Sequence, residues 1–215
     1  MRAATIIGCA AVLTVTGMAT AAPIQKGATI FAIQLTEGTG DFAGGGSGTI
    51  GSSPHSEVGI QAQFWHFMTG EYAVNFAAGI GYFKETDTQP LFEDYTLTAN
   101  SWQVRLGGDR VAHLNDRFHL FVGPGIQVWG GKLKTKGSLT GESEGPSSTR
   151  FALSGRLGAH LKMGESFGMM AQLGHYWGYA TADLADDPTT PADDSAKAKW
   201  LPSGHDGAAG FSFNF

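Results

Sequence analysis

The chain closes on Ala209-Gly210-Phe211-Ser212-Phe213-Asn214-Phe215. Apolar residues stand at 209, 211, 213 and 215, with glycine or a polar residue between them. Successive side chains of a β-strand point to opposite faces, so this spacing puts three phenylalanines on one side of a sheet. The opposite side carries only Gly210, Ser212 and Asn214. A face this bulky beside one this small and polar defines the pattern to look for upstream.

Seven further segments repeat it. The spacing predicts strands at about 28–36, 57–67, 72–83, 97–109, 118–130, 150–162, 167–180 and 201–215. Phe31, Ile33 and Leu35 oppose Ala32, Gln34 and Thr36. Tyr72, Val74, Phe76, Ala78, Ile80 and Tyr82 oppose Ala73, Asn75, Ala77, Gly79 and Gly81. Phe151, Leu153, Leu157 and Leu161 oppose Ser154, Arg156, Gly158 and His160. The predicted connections hold 20, 4, 13, 8, 19, 4 and 20 residues, long and short in turn. An up-and-down barrel with long extracellular loops and short periplasmic turns gives that order, which a soluble sandwich has no reason to keep. The bulky set also outsizes the lumen of eight strands, so lipid outside is the better solvent for it. The expected fold is all-β, an eight-stranded antiparallel up-and-down transmembrane β-barrel.

Aromatic spacing agrees. Tyr72 and Tyr82 lie ten residues apart on the apolar face, as do Phe167 and Trp177. Ten residues at a tilt near 45° rise roughly 23 Å, about the height of a barrel's apolar band. Each pair then supplies one ring to each membrane interface, forming an aromatic girdle.

The other end of the chain reads as an export signal. Arg2 is followed by an apolar run from Ile6 to Val15 and by Ala19-Thr20-Ala21, a short charged region, an apolar region and an A-x-A site. Residues 1–21 are expected to be a cleaved signal peptide and 22–215 a single barrel domain. Ile6-Ile7-Gly8-Cys9 resembles a lipoprotein box, but no apolar region precedes Cys9. It is the sole cysteine, so the segment 22–215 has no disulfide and no thiol chemistry. Removing Arg2 takes the formal charge from −5 to −6, which argues against a nucleic-acid partner. No further apolar run reaches the roughly 20 residues of a membrane helix.

The signal sequence, the eight alternating segments and the terminal Phe211, Phe213 and Phe215 resemble the small outer-membrane barrel family of OmpA-type transmembrane domains and OmpX. The resemblance implies residence in a Gram-negative outer membrane, lipid and lipopolysaccharide as neighbours, a monomer, and no cofactor. It also implies that Phe211, Phe213 and Phe215, with Ala209, are the signal read by the barrel assembly machinery. Pro124 departs from the pattern. It cannot donate to a ladder, and a bulge is expected at Gly123-Pro124-Gly125.

Strand parity turns Glu57, Arg105, Asp109, Arg150, Arg156, His160 and Asp206 inward. Three carboxylates then face three guanidinium groups, and buried charges must be paired or hydrated. An ion-paired plug closing the lumen is the expectation, with a narrow channel for small solutes as the alternative. Lys132, Lys134 and Lys136 continue outward parity to the extracellular rim, where they are candidate contacts for lipopolysaccharide phosphates or simply a solvated face.

Three motifs carry less. Asp183, Asp186, Asp187, Asp193 and Asp194 lack the ligand spacing of a calcium loop, so no metal site is expected. Gly44-Gly45-Gly46 lacks the Lys-Ser/Thr of a phosphate loop. Lipid A hydrolysis is the enzymatic alternative: pairing Phe167 with Phe215 sets Trp177 opposite His205, His175 on the diagonal and Ser203 near by. No acid has the parity to orient either histidine, and the chain is expected not to be an enzyme.

Overall fold

A computed structural model describes residues 24–41, 54–87, 95–137, 141–183, 197–201 and 203–215. The strands are β1 (Thr29–Asp41), β2 (Pro54–Phe67), β3 (Tyr72–Asp87), β4 (Tyr95–His113), β5 (Phe118–Gly137), β6 (Gly141–Lys162), β7 (Phe167–Asp183), β8 (Lys197–Trp200) and β9 (Ser203–Asn214). Each pairs antiparallel with its sequence neighbour from β1 to β7, and β1 closes the ring on β9. β8 and β9 meet β7 in one continuous register, Ala180 opposite Trp200 and Trp177 opposite Ser203, so they form one stave. The result is a closed eight-stave, up-and-down antiparallel barrel.

Its wall is inside out relative to a soluble protein. Leu35, Leu173 and Leu153 are 68%, 70% and 61% exposed, while Gln34 and Gln63 are at most 1% exposed. Placing that much apolar surface outward is stable only where the surroundings are also apolar, so the wall is built for lipid. Antiparallel ladders run from stave to stave around the closed ring, which gives the wall's backbone donors and acceptors their partners, as hydrocarbon demands.

Four-residue turns at 68–71, 114–117 and 163–166 share one end with Phe215. Two are locked by side chains. Thr69 Oγ1 accepts from the Glu71 and Tyr72 amides at 3.2 and 3.1 Å, and Asn115 Oδ1 from the Arg117 and Phe118 amides at 2.9 and 2.8 Å.

Three expectations are corrected. The ladders run further at the opposite, loop end: β5 reaches Gly137 and β6 starts at Gly141, so residues 138–140 replace the expected 19-residue loop. Lys, Thr, Ser and Glu on both faces hide these extensions from an apolar pattern, because beyond the lipid both faces meet water. No bulge forms at Gly123-Pro124-Gly125. Gly107 pairs with Gly125 and Arg110 with Val122 in the same register, the ladder simply opening where Pro124 lacks an N–H. The irregularity falls instead between Lys132 and Lys134 against β6. Finally, Phe167 pairs with Phe213, two residues from the expected Phe215. β9 overruns β7: the Asn214 amide donates to Ser166 O at 3.0 Å, and Phe215 exchanges both backbone hydrogen bonds with Thr29.

Candidate functional site: the polar lumen

Inward positions at mid-barrel carry long amides and charges from nearly every stave. Asp109 on β4 is the centre. Trp65 Nε1 donates to its Oδ2 at 2.8 Å and Asn75 Nδ2 to the same oxygen at 3.0 Å. Arg156 on β6 donates Nε to Oδ1 at 3.2 Å and Nη2 to Oδ2, making a two-pronged ion pair. The guanidinium also lies over the Trp65 ring, 5.1 Å from its centroid. Three staves therefore converge on the one carboxylate that β4 supplies.

A glutamine layer spreads from that pair. Arg156 Nη1 donates to Gln172 Oε1 at 3.0 Å, and Gln172 Nε2 to Gln63 Oε1 at 2.9 Å and Gln34 Oε1 at 3.2 Å. Gln61 Nε2 donates to Gln34 Oε1 at 2.8 Å. Amides suit this task because each both donates and accepts, so a layer of them links several staves without adding net charge.

The sequence-derived charges thus separate into three groups. Asp109 and Arg156 are an ion pair. Arg105 and Asp206 take neutral partners: Arg105 Nε donates to Ser154 Oγ at 3.2 Å, and Gln127 Nε2 to Asp206 Oδ2 at 3.1 Å. Arg150 is buried at the loop end of the lumen. The Glu57 side chain lies outside the described residues, as do residues 1–21, Gly44–Gly46 and the aspartates at 186, 187, 193 and 194.

Toward the turn end the lumen becomes apolar. Ile30, Ala32, Trp65, Phe67, Ala73, Val111, Phe121 and Met170 form a buried cluster, with Phe121 5.9 Å from the Trp65 ring and 6.3 Å from Phe67. A file of imidazoles lies beside it. His113 Nε2 bonds Gly70 O at 2.5 Å, and because a carbonyl only accepts, that nitrogen carries the proton. His113 Nδ1 is then the acceptor for His119 Nδ1–H at 2.8 Å. His119 stacks on His160, whose Nε2 meets Ser212 Oγ at 2.9 Å.

Toward the loop end the lumen widens. A cavity of about 70 Å³ is lined by Gln61, Gln103, Trp129, Arg150, Tyr176 and Asp206 among others. Below it, Arg105, Gln127 and Arg156 border a second of about 20 Å³, room for a single water.

On the outer wall, Tyr72, Tyr82, Phe167 and Trp177 all face out. Lys132, Lys134 and Lys136 follow one another on β5, with Lys134 Nζ 3.6 Å from Glu142. Phe211, Phe213 and Phe215 are outward on the closing stave. The two-residue register change puts His175 directly opposite His205 and Ser203 opposite Trp177. This corrects the diagonal arrangement expected from pairing Phe167 with Phe215.

No family model matches the sequence, and no curated protein matches it. Solved structures do match the fold. Ail of Yersinia pestis aligns with TM-score 0.50 at 11% identity over 89% of this chain and 100% of that one. OprG of Pseudomonas aeruginosa gives 0.51 at 11% over 90% and 98%. The outer-membrane protein AlkL, solved in lipid bilayers, gives 0.50 at 14% over 92% and 94%. The chain has the fold of the small outer-membrane β-barrels. At these identities the likeness is one of backbone path, and the lumen chemistry is argued from this chain's own residues.

Sequence reasoning had no rule for two parts of this site. Gln34, Gln61, Gln63, Gln127 and Gln172 look like polar filler, yet they link the Arg156 guanidinium and Asp206 to the rest of the lumen. Trp65, Phe67, Val111 and Phe121 face inward although apolar, against the polar-in rule. The parity of Trp65 with Gln61 and Gln63 was the signal that could have found them.

Proposed function

We propose that this barrel sits in the bacterial outer membrane as a surface-interaction protein whose lumen is shut to free diffusion. The observation that carries the reading is the stack on the barrel axis: the Asp109–Arg156 pair bound by Trp65 and Asn75, with the apolar Phe67–Val111–Phe121 cluster beneath it. A solute entering from the loop end would have to break a buried ion pair and then part a packed apolar layer. The narrow-channel alternative is favoured by the 70 Å³ cavity at the loop end, a binding vestibule in the present reading. Liposome swelling with small sugars tests the choice. Swelling at the rate of protein-free vesicles supports closure, and swelling that falls with sugar size supports a channel.

The outward task then belongs to the loop end. Lys132, Lys134 and Lys136 are proposed as contacts for the phosphates of lipopolysaccharide. In support, Ail has been solved with the heparin analogue sucrose octasulfate, a polyanion. Residues 1–21 are proposed as the cleaved export signal, and Phe211, Phe213 and Phe215 as the segment presented to the barrel assembly machinery, after which the chain works as a monomer. A hydrolase reading needs Ser203 as nucleophile. Ser203→Ala with an altered lipid A mass spectrum would establish it, and an unaltered one supports the non-enzymatic reading.

A further inference from the structure

His175 on β7 and His205 on β9 sit directly opposite one another on the outer wall. Their Nδ1 atoms are 3.1 Å apart and their ring centroids 4.4 Å apart. In the metal-free molecule one Nδ1–H donates to the other Nδ1 lone pair. The same separation has a second meaning. A first-row divalent ion holds imidazole nitrogens at about 2.0–2.1 Å, and 3.1 Å between two such ligands corresponds to an angle of about 100° at the ion, between octahedral and tetrahedral values. Both staves are fixed by continuous ladders, so the pair is pre-spaced by the backbone register.

We propose that His175 and His205 form a two-imidazole seat for a divalent first-row transition-metal ion, Cu²⁺ held most tightly. Binding needs both Nδ1 lone pairs. The proton shared between the rings passes through solvent to the donor's own Nε2, leaving two neutral Nε2–H imidazoles and no net proton release. The remaining coordination positions face outward and take water or an outer-leaflet phosphate oxygen. Access is open on one side: Gly155, opposite His175 on β6, has nothing within 4 Å of where a Cβ would stand. His175 lies eight residues above Phe167, a rise of roughly 19 Å, which sets the seat just below the outer Trp177 level. Among the described residues no third His, Cys, Asp or Glu joins them, so the seat is a bidentate clamp across the last hairpin, distinct from a closed structural site.

Trp177 reports on it. Its ring lies 4.1 Å from that of His175, close enough for a bound paramagnetic ion to quench its fluorescence. Untagged barrel in detergent micelles is titrated with CuCl₂ while tryptophan emission is followed. The expected result is saturable 1:1 quenching that loses most of its amplitude in Trp177→Phe. In His175→Ala or His205→Ala the affinity falls at least about tenfold, as loss of one of two ligands requires. His66→Ala, removing an outward imidazole that bonds Thr29 instead, leaves the titration unchanged. Heat-modifiable gel mobility confirms that each variant is folded. Electron paramagnetic resonance of the copper-loaded protein should show two equivalent nitrogens. Equal affinity in the wild type and both alanine variants, or a spectrum without coupling to two nitrogens, would overturn the proposal.

Discussion

Removing the carboxylate of Asp109 is the sharpest perturbation of the lumen. The side chain is fully buried and receives Trp65, Asn75 and both prongs of Arg156. Asp109→Leu leaves the guanidinium without the carboxylate it bonds, and breaking a buried pair in this way costs about 3–5 kcal/mol. Arg156→Met leaves the carboxylate, but Trp65 and Asn75 still donate to it, so about 3 kcal/mol is expected. The double variant Asp109→Leu/Arg156→Met strands no charge. It should cost about 3 kcal/mol or less, against roughly 7 if the two single effects added. The assay is urea unfolding in phospholipid vesicles, read by tryptophan emission and gel mobility. A double variant whose loss equals the sum of the singles within about 0.5 kcal/mol would refute the idea that these residues act as one buried pair.

Further predictions concern the wall and the rim. A Cβ at Gly210 would stand 2.0 Å from Ile33 O and 2.6 Å from Gln34 Cα, so Gly210→Ala must push β1 and β9 apart. It should destabilise by about 1–3 kcal/mol in the same urea assay, while Gly155→Ala, which meets nothing, stays within about 0.5. Phe215→Ser should lower the amount of folded barrel reaching the membrane in cells yet leave refolding of purified chain in detergent unchanged. Equal loss in both settings would make Phe215 a stability residue. Replacing Lys132, Lys134 and Lys136 by Gln together should reduce co-purifying lipopolysaccharide. Unchanged lipid content would leave them a solvated face.

What the sequence made legible was the part ruled by a single period. Phe211, Phe213 and Phe215 have one outward solvent to satisfy over their whole stave, and parity alone assigns them. The same rule found Asp109, Arg105 and Arg156 on the inner face. It could not choose partners among them, because a guanidinium near the axis reaches several staves, and which carboxylate it meets depends on stagger around the ring. Register was missed for a related reason. Pairing Phe167 with Phe215 and with Phe213 both keep every side chain on its face, so the pattern cannot separate them. Hydrogen bonds from β9 to Ser166 and Thr29 do. Trp65, Val111 and Phe121 escaped because the lumen changes character along its axis, polar at mid-barrel and apolar at the turn end.

Single-channel recording in a planar lipid bilayer tests the closed lumen most directly. With the Asp109–Arg156 pair and the apolar cluster in place, the account predicts current at the level of the bare bilayer at moderate voltage. Large, stable conductance steps from the wild-type barrel would contradict it.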